Sequence, residues 1–143
     1  MTMKNLKEIV KQIEREFKNL EANAGTFVYG DVYELNHNQE VAYPAMVVTN
    51  DTHQCNNDFI YYNFNIFYVD RLTANKKNKL DVHAMAIKIL NSIVQRLDND
   101  YIIDQLYQIN LFEEKFNDVC AGGYIKVILQ LPIELCQDID IEV

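Results

Sequence analysis

DFIYYNFNIFYVDRL, from Asp58 to Leu72, is the most apolar and aromatic stretch of this chain, and it decides the fold. In a β-strand, successive side chains point to opposite faces of the sheet. The even-numbered positions then form an unbroken apolar face, made of Ile60, Tyr62, Phe64, Ile66 and Tyr68. The odd-numbered positions are apolar at both ends with amides between them, in the order Phe59, Tyr61, Asn63, Asn65, Phe67 and Val69. We expect the even face to lie on the protein's own core, which leaves open what covers the odd face.

Two shorter segments upstream also read as strands. TFVYGDVYEL and VAYPAMVVTN are separated by the turn-forming NHNQE. Pro44 lies inside the second segment and has no N–H to donate, so we expect that part of the strand at a sheet edge or a bulge. NDTHQCNND follows as a polar loop. The long aromatic segment then returns as the longest strand, antiparallel to its predecessor.

Two segments have the periodicity of amphipathic helices. From Lys4 to Leu20, the apolar residues follow one helical face: Leu6, Ile9, Val10, Ile13, Phe17 and Leu20. LDVHAMAIKILNSIVQRL has a broader apolar surface, which requires cover on more than one side. Gly25 ends the first segment, and the polar TANKKNK precedes the second.

The last third predicts further strands, in YIIDQLYQINLFEEKF and in YIKVILQLPIEL. Gly122 and Gly123 between them indicate a turn. The predicted order is therefore α-β-β-β-α-β-β, an α+β domain with a mostly antiparallel sheet of about five strands. We expect one domain over residues 1–143, with an amphipathic N-terminal helix in residues 1–22 and an acidic tail in residues 137–143.

Composition excludes several classes of protein. The 143 residues carry a net charge of -8, which argues against a nucleic-acid binder because phosphate contacts need clustered Lys and Arg. No apolar run approaches a membrane span, and the N-terminus lacks the apolar segment of a signal peptide, so we expect synthesis in a cytoplasm. The three cysteines form no CxxC pair, which argues against a disulfide framework.

No residues have the pattern of a catalytic, cofactor or metal site. His53 and Cys55 could supply two metal ligands, but no second pair has metal-site spacing. Glu113 and Glu114 are adjacent on a predicted strand, so they point to opposite faces and cannot converge on one substrate atom. The acids of the tail, which alternate with aliphatic residues, indicate a terminal strand or a flexible tail more than a metal site. We therefore predict a protein that is not an enzyme, has no cofactor and binds no small-molecule substrate.

Four cations follow the aromatic strand: Arg71, Lys76, Lys77 and Lys79. The simplest interpretation is a solvated loop. The alternative is a contact with an acidic partner surface or with DNA in a channel, because a small basic patch can act within an acidic protein.

The sequence resembles small proteins of tailed bacteriophages that infect Bacteroides-type hosts. Those proteins often end in a Phe–x–x–x–Phe–Asn–Asp core, a small-residue turn and an alternating strand that closes on proline. The matching residues here are Phe112, Phe116, Asn117, Asp118, Ala121, Gly122, Gly123 and Pro132. The upstream order of a helix, YPAMVV, an aromatic strand ending FYVDRL and an apolar helix is also similar. The whole chain resembles the tail-terminator or tail-completion class.

This resemblance implies a structural virion protein that forms a ring in the neck or tail and joins portal-side proteins to the tail. Such rings have six copies in long tails and twelve near the portal. The protein would be made in the host cytoplasm and end in the virion. The odd face would then be covered by a neighbouring subunit or by the N-terminal helix, and we predict a subunit interface at Phe59, Tyr61, Asn63, Asn65 and Phe67. The alternative is a non-catalytic adaptor subunit of a cellular complex.

Overall fold

The computed structural model describes residues 5–36, 41–103, 107–116 and 118–132, so the acidic tail predicted at 137–143 lies outside the described residues. The elements in chain order are α1 (Leu6–Leu20), β1 (Phe27–Tyr29), a 3₁₀ helix (Val32–Asn36), β2 (Ala45–Asn50), β3 (Gln54–Cys55), β4 (Phe59–Arg71), a 3₁₀ turn (Ala74–Lys76), α2 (Lys79–Asp98), β5 (Ile102–Ile103), β6 (Ile109–Lys115) and β7 (Val119–Pro132). The predicted α+β class is confirmed, although seven strands are described where about five were expected.

The aromatic segment lies at the centre of the sheet. The strand order is β1-β2-β4-β7-β5, with β3 added to β4 and β6 added to β7. β4 is antiparallel to β2, as predicted, and pairs with β7 along its whole length, from Phe59 opposite Pro132 to Arg71 opposite Cys120. Among the strands of the described residues, the pairing of β1 with β2 is the one parallel pairing. Among the described strands, β7 is the longest at 14 residues, one more than β4, so the prediction that the aromatic segment forms the longest strand is wrong.

The even face of β4 packs on both helices, as its apolar pattern predicted. The buried cluster on this side joins α1, α2 and the sheet, and its aromatic members from β4 are Tyr62, Phe64 and Tyr68. The ring of Phe17 in α1 meets Tyr68 edge-on, with centroids 6.5 Å apart. The N-terminal helix therefore covers the even face of its own subunit, and the alternative that it covers the odd face is wrong for this subunit.

The start of α1 follows from its sequence. The side chain of Asn5 accepts a hydrogen bond from the backbone N–H of Glu8 at 3.0 Å, which caps the first turn. Ile9, Ile13 and Phe17 then recur at four-residue spacing and are fully buried. A helix of this length is marginal alone, so its stability comes from this packed face.

The first two predicted strands are shorter in the structure. Within TFVYGDVYEL, only Phe27–Tyr29 is a strand, and Val32–Asn36 forms a 3₁₀ helix. The carboxylate of Asp31 accepts a hydrogen bond from the N–H of Tyr33 at 2.8 Å, which starts this turn. The second strand begins at Ala45, directly after Pro44. The loop NDTHQCNND contains the short strand β3.

The turn predicted at Gly122 and Gly123 is wrong. Both glycines lie inside β7, opposite Val69 and Tyr68 of β4. The chain reverses earlier, where the N–H of Phe116 donates to the carbonyl of Asp118 at 2.9 Å. A Cβ atom at Gly122 would lie 1.9 Å from the carbonyl oxygen of Tyr68. This glycine is therefore needed for close approach of two strands and not for a turn.

Candidate subunit interface

The sheet face opposite the helices carries all five residues predicted as a subunit interface. Each is half-buried within the subunit. The register of β4 with β7 sets Tyr61 opposite Gln130, Asn63 opposite Ile128 and Asn65 opposite Lys126. Directly opposite residues of an antiparallel pair share a face. We call the outer part of this surface the strand face, made of Phe59, Tyr61, Asn63, Asn65, Lys126, Ile128 and Gln130.

Phe67 lies where the subunit covers the same face itself. Its ring stacks on Tyr124 with centroids 5.1 Å apart and meets Phe112 edge-on at 6.3 Å. A second buried cluster continues from this point toward Arg71, and it contains Leu35, Ala45, Val47, Val69, Phe116 and Cys120. Phe67 therefore belongs partly to the subunit's own core.

The strand face is not part of either large hydrophobic cluster of the described chain. Phe59, Tyr61 and Ile128 are absent from both clusters, although Phe59 and Tyr61 contact one another with ring centroids 6.3 Å apart. Three half-buried apolar side chains set among amides and one lysine, on two long central strands, have the mixed composition of a surface that contacts another protein.

Polar atoms on this face also lack partners. Among the described residues, the side-chain oxygens of Asn63 and Thr49 are buried without a hydrogen bond. Thr49 lies on β2, opposite Asn65. An unsatisfied buried acceptor costs roughly 1–3 kcal/mol. A partner that donated a hydrogen bond here, after a small side-chain rotation, would remove this cost.

A cavity of about 850 Å³ opens at the margin of the strand face, with Asn65, Phe67, Lys126 and Ile128 in its wall. Its charged groups are Asp51 and Lys126, which form an ion pair at 3.3 Å. The backbone N–H of Thr52 and the ammonium of Lys126 lower the pKa of Asp51. A carboxylate held ionised by such partners is a poor general base at neutral pH.

The predicted basic cluster is partly neutralised, because its four cations have two carboxylate partners in the subunit. Lys76 and Lys79 both bind Glu113, the latter at 3.0 Å, and these hydrogen bonds lower the pKa of Glu113. Arg71 lies 3.9 Å from Asp118. Lys77 is exposed, and no ion pair is seen for it within the described residues. The arrangement favours a contact with a small acidic surface over a track of phosphates.

The histidines in the described part of the chain are engaged in structural hydrogen bonds. His53 Nδ1 accepts from the backbone N–H of Asn63, and Nε2 contacts Asn50 Oδ1, both at 3.0 Å. His83 Nε2 lies 3.0 Å from the carbonyl oxygen of Phe112. No group of three or more metal-binding side chains occurs in residues 5–36, 41–103, 107–116 and 118–132.

A second apolar surface was not identified from the sequence. Leu80, Ile87 and Leu111 are 79%, 45% and 43% exposed. Leu80 and Ile87 lie with exposed Ala84 along one side of α2, and Leu111 lies on the neighbouring β6. We call these four residues the helix flank. The broad apolar surface of this helix was the available signal, since it indicated cover on more than one side.

Comparison with known protein families and with characterised proteins finds no match for this chain. None of the helices in the part of the chain that the structure describes is long and apolar enough to cross a bilayer.

Proposed function

We propose that this chain is a structural subunit that assembles into a ring in the neck or tail of a tailed bacteriophage, between portal-side proteins and the tail. The strand face carries the proposal, because it places Phe59, Tyr61 and Ile128 outside the subunit's own clusters. The viral setting rests on the resemblance of the sequence to tail-terminator and tail-completion proteins.

Burial of this face gives assembly its driving force. Full burial of one large apolar side chain contributes roughly 1.5–3 kcal/mol. Phe59 and Tyr61 are already half-buried, so covering the rest of both contributes about 1.5–3 kcal/mol together. Ile128 and the amide hydrogen bonds add to this. A small number of such residues at the centre of an interface is enough to determine whether subunits associate.

A ring also explains how the subunit avoids open-ended association. A head-to-tail contact uses two different surfaces and terminates only when the rotation closes. An isolated aromatic strand surface without such closure is an aggregation hazard. The net charge of -8 counters this hazard, because it keeps free subunits apart until specific contacts form.

Negative-stain microscopy and sedimentation velocity of the purified chain test the proposal. We expect rings, and we expect Tyr61→Ser to reduce assembly while the far-UV spectrum is unchanged. The matched control is Tyr29→Ser, because Tyr29 is 45% exposed but lies opposite Val48 of β2, on the helix side of the sheet. A wild-type chain that stays monomeric at high concentration would contradict self-assembly. Equal loss of rings in both variants would contradict the role of the strand face.

A further inference from the structure

We infer that the strand face of one subunit receives the helix flank of the next, so that each copy uses both surfaces in a head-to-tail contact. This inference rests on the proposed ring and goes further, because it names the surface of the second copy that occupies the strand face. It follows from three observations: the apolar flank on α2, the distribution of charge around the two surfaces, and their placement on opposite sides of one sheet.

The helix flank lies where α2 runs beside β6. Lys79 binds Glu113, and His83 contacts the carbonyl oxygen of Phe112. Farther along, Asn91 accepts a hydrogen bond from Tyr107, just before β6. Residues four apart on a helix share a face, so Ile87 lies on the same side as His83 and Asn91, next to β6. Leu111 of β6 is half-exposed on this side of the sheet, where it forms the floor of the flank.

The exposure of the flank is unusual for its residue types. Leu80 is 79% exposed, the largest value among the large apolar side chains of the described chain. Ala84 continues the row, and Ile87 is 45% exposed. Leu, Ala and Ile presented at i, i+4 and i+7 on a helix are a common form of helix docking surface.

The charges around the two surfaces are complementary. The flank is bordered by exposed Lys76, Lys77 and Lys88 and by half-buried Lys79. The carboxylates of Asp81 and Glu113 lie among them, so four ammonium groups against two carboxylates leave a positive excess. Asp51 and Asp58 border the strand face, and Lys126 on that face pairs with Asp51 at 3.3 Å, so two carboxylates against one ammonium leave a small negative excess. Because each copy carries a net charge of -8, electrostatic repulsion between two copies is smallest where the lysines beside the flank meet the carboxylates beside the strand face.

A two-fold symmetric dimer cannot cover both surfaces, because they lie on opposite sides of the sheet. The strand face lies on the side of the sheet opposite the helices, and the flank lies on the helix side. A two-fold contact through either surface alone would leave the other exposed in both copies. A head-to-tail contact covers both surfaces in every copy of a closed ring.

The test mixes two variants that each lack one surface. Tyr61→Asp disables the strand face and Leu80→Asp disables the flank, while Tyr29→Asp adds the same charge outside both. We expect each of the first two to associate at least 30-fold more weakly than wild type, the change that corresponds to about 2 kcal/mol at a central interface residue. The control should form normal rings.

The 1:1 mixture gives the decisive result. Each variant retains the surface that the other lacks, so one intact contact forms and native mass spectrometry should show a heterodimer. Circular dichroism and thermal melting confirm that each variant is folded. If Tyr61→Asp melts early, Asn63→Arg serves as a second strand-face variant, because it adds bulk and charge at an amide position.

Failure of the inference is distinguishable from failure of the proposed function. If Leu80→Asp forms normal rings while Tyr61→Asp does not, the proposed ring is supported, but the helix flank is not what binds the strand face. A mixture that stays monomeric, or that gives homodimers of one variant, also overturns the pairing of these surfaces. If wild type forms no assembly under the same conditions, the proposed function fails and the inference fails with it.

Discussion

Phe67 and Tyr61 lie on the same face of one strand, yet the structure predicts different consequences when each is replaced by alanine. Phe67 has two ring partners in the subunit, Tyr124 at 5.1 Å and Phe112 at 6.3 Å. Each aromatic pair contributes roughly 0.5–1.5 kcal/mol beyond area burial. Loss of a half-buried ring removes about 1 kcal/mol more. We therefore expect Phe67→Ala to lower the free energy of unfolding by about 2–4 kcal/mol.

Tyr61 should behave in the opposite way. Its one aromatic neighbour is Phe59, at 6.3 Å and itself outside the core clusters. We expect Tyr61→Ala to lower the free energy of unfolding of the monomer by about 1.5–2.5 kcal/mol, from one aromatic pair and one half-buried ring. This loss is smaller than that for Phe67→Ala, whereas Tyr61→Ala should weaken assembly more than Phe67→Ala does. Urea unfolding followed by circular dichroism at low protein concentration measures the first effect, and sedimentation velocity at high concentration measures the second. Equal stability losses, or a Phe67→Ala monomer as stable as wild type, would refute this division of the face.

Two further predictions concern positions inside the sheet. Gly122→Ala should destabilise the subunit by about 3 kcal/mol, because its Cβ would lie 1.9 Å from the backbone oxygen of Tyr68. Gly123→Ala is the control and should cost less, because its Cβ would lie 3.1 Å from Leu111 Cδ2 and 3.2 Å from the backbone oxygen of Asn110, contacts that shifts of a few tenths of an ångström relieve. Equal thermal shifts would contradict the close approach of β4 and β7. Asp70→Asn should raise the melting temperature at pH 7, since burial, and next the charge of Glu21, raise the pKa of Asp70. Because the folded state binds this proton more tightly than the unfolded state, the wild type recovers free energy of unfolding as the pH falls through the raised pKa of Asp70. The two proteins should therefore melt at the same temperature below about pH 4. An advantage of Asn that persists in acid would show that the charge of Asp70 is not its cause.

The period-2 pattern of the aromatic segment was sufficient to predict which face of β4 is buried. Tyr62, Phe64 and Tyr68 pack against helices, and the four-residue spacing of Ile9, Ile13 and Phe17 supplies one of those helices. These predictions succeed because each depends only on which side chains a regular element places on one side. Neither requires knowledge of a residue distant in the chain.

The glycine pair shows where local reading fails. Two adjacent glycines are compatible with a turn and equally with two backbones in close approach. The second meaning depends on Tyr68, which is more than fifty residues earlier in the chain and adjacent only after the sheet forms. When the partner strand is unknown, the two glycines are interpreted as a turn. The actual change of chain direction, at Phe116 between β6 and β7, is then missed.

The sequence likewise predicted one part of the candidate site and missed another. The sequence placed Phe59, Tyr61, Asn63 and Asn65 on one face because they belong to one strand. The three residues that β7 adds, Lys126, Ile128 and Gln130, follow only from the pairing of β7 with β4. The helix flank needs the position of Leu111 beside α2, and neutralisation of the basic cluster needs Glu113, which is 37 residues after Lys76 and 34 after Lys79. These are long-range contacts between elements that no sequence period joins.

The amides at the centre of the odd face are informative about how a subunit can be both free and assembled. A strand buried permanently on both sides is usually a continuous apolar run, and a permanently solvated face usually carries charge. The odd face of β4 has neither composition: Asn63 and Asn65 separate the aromatic pair at one end from Phe67 at the other. Amides can be solvated by water in the free subunit and can accept or donate hydrogen bonds in a contact, without the cost of burying a charge. The face is therefore suited to a protein that is made as a free subunit and becomes covered when it assembles.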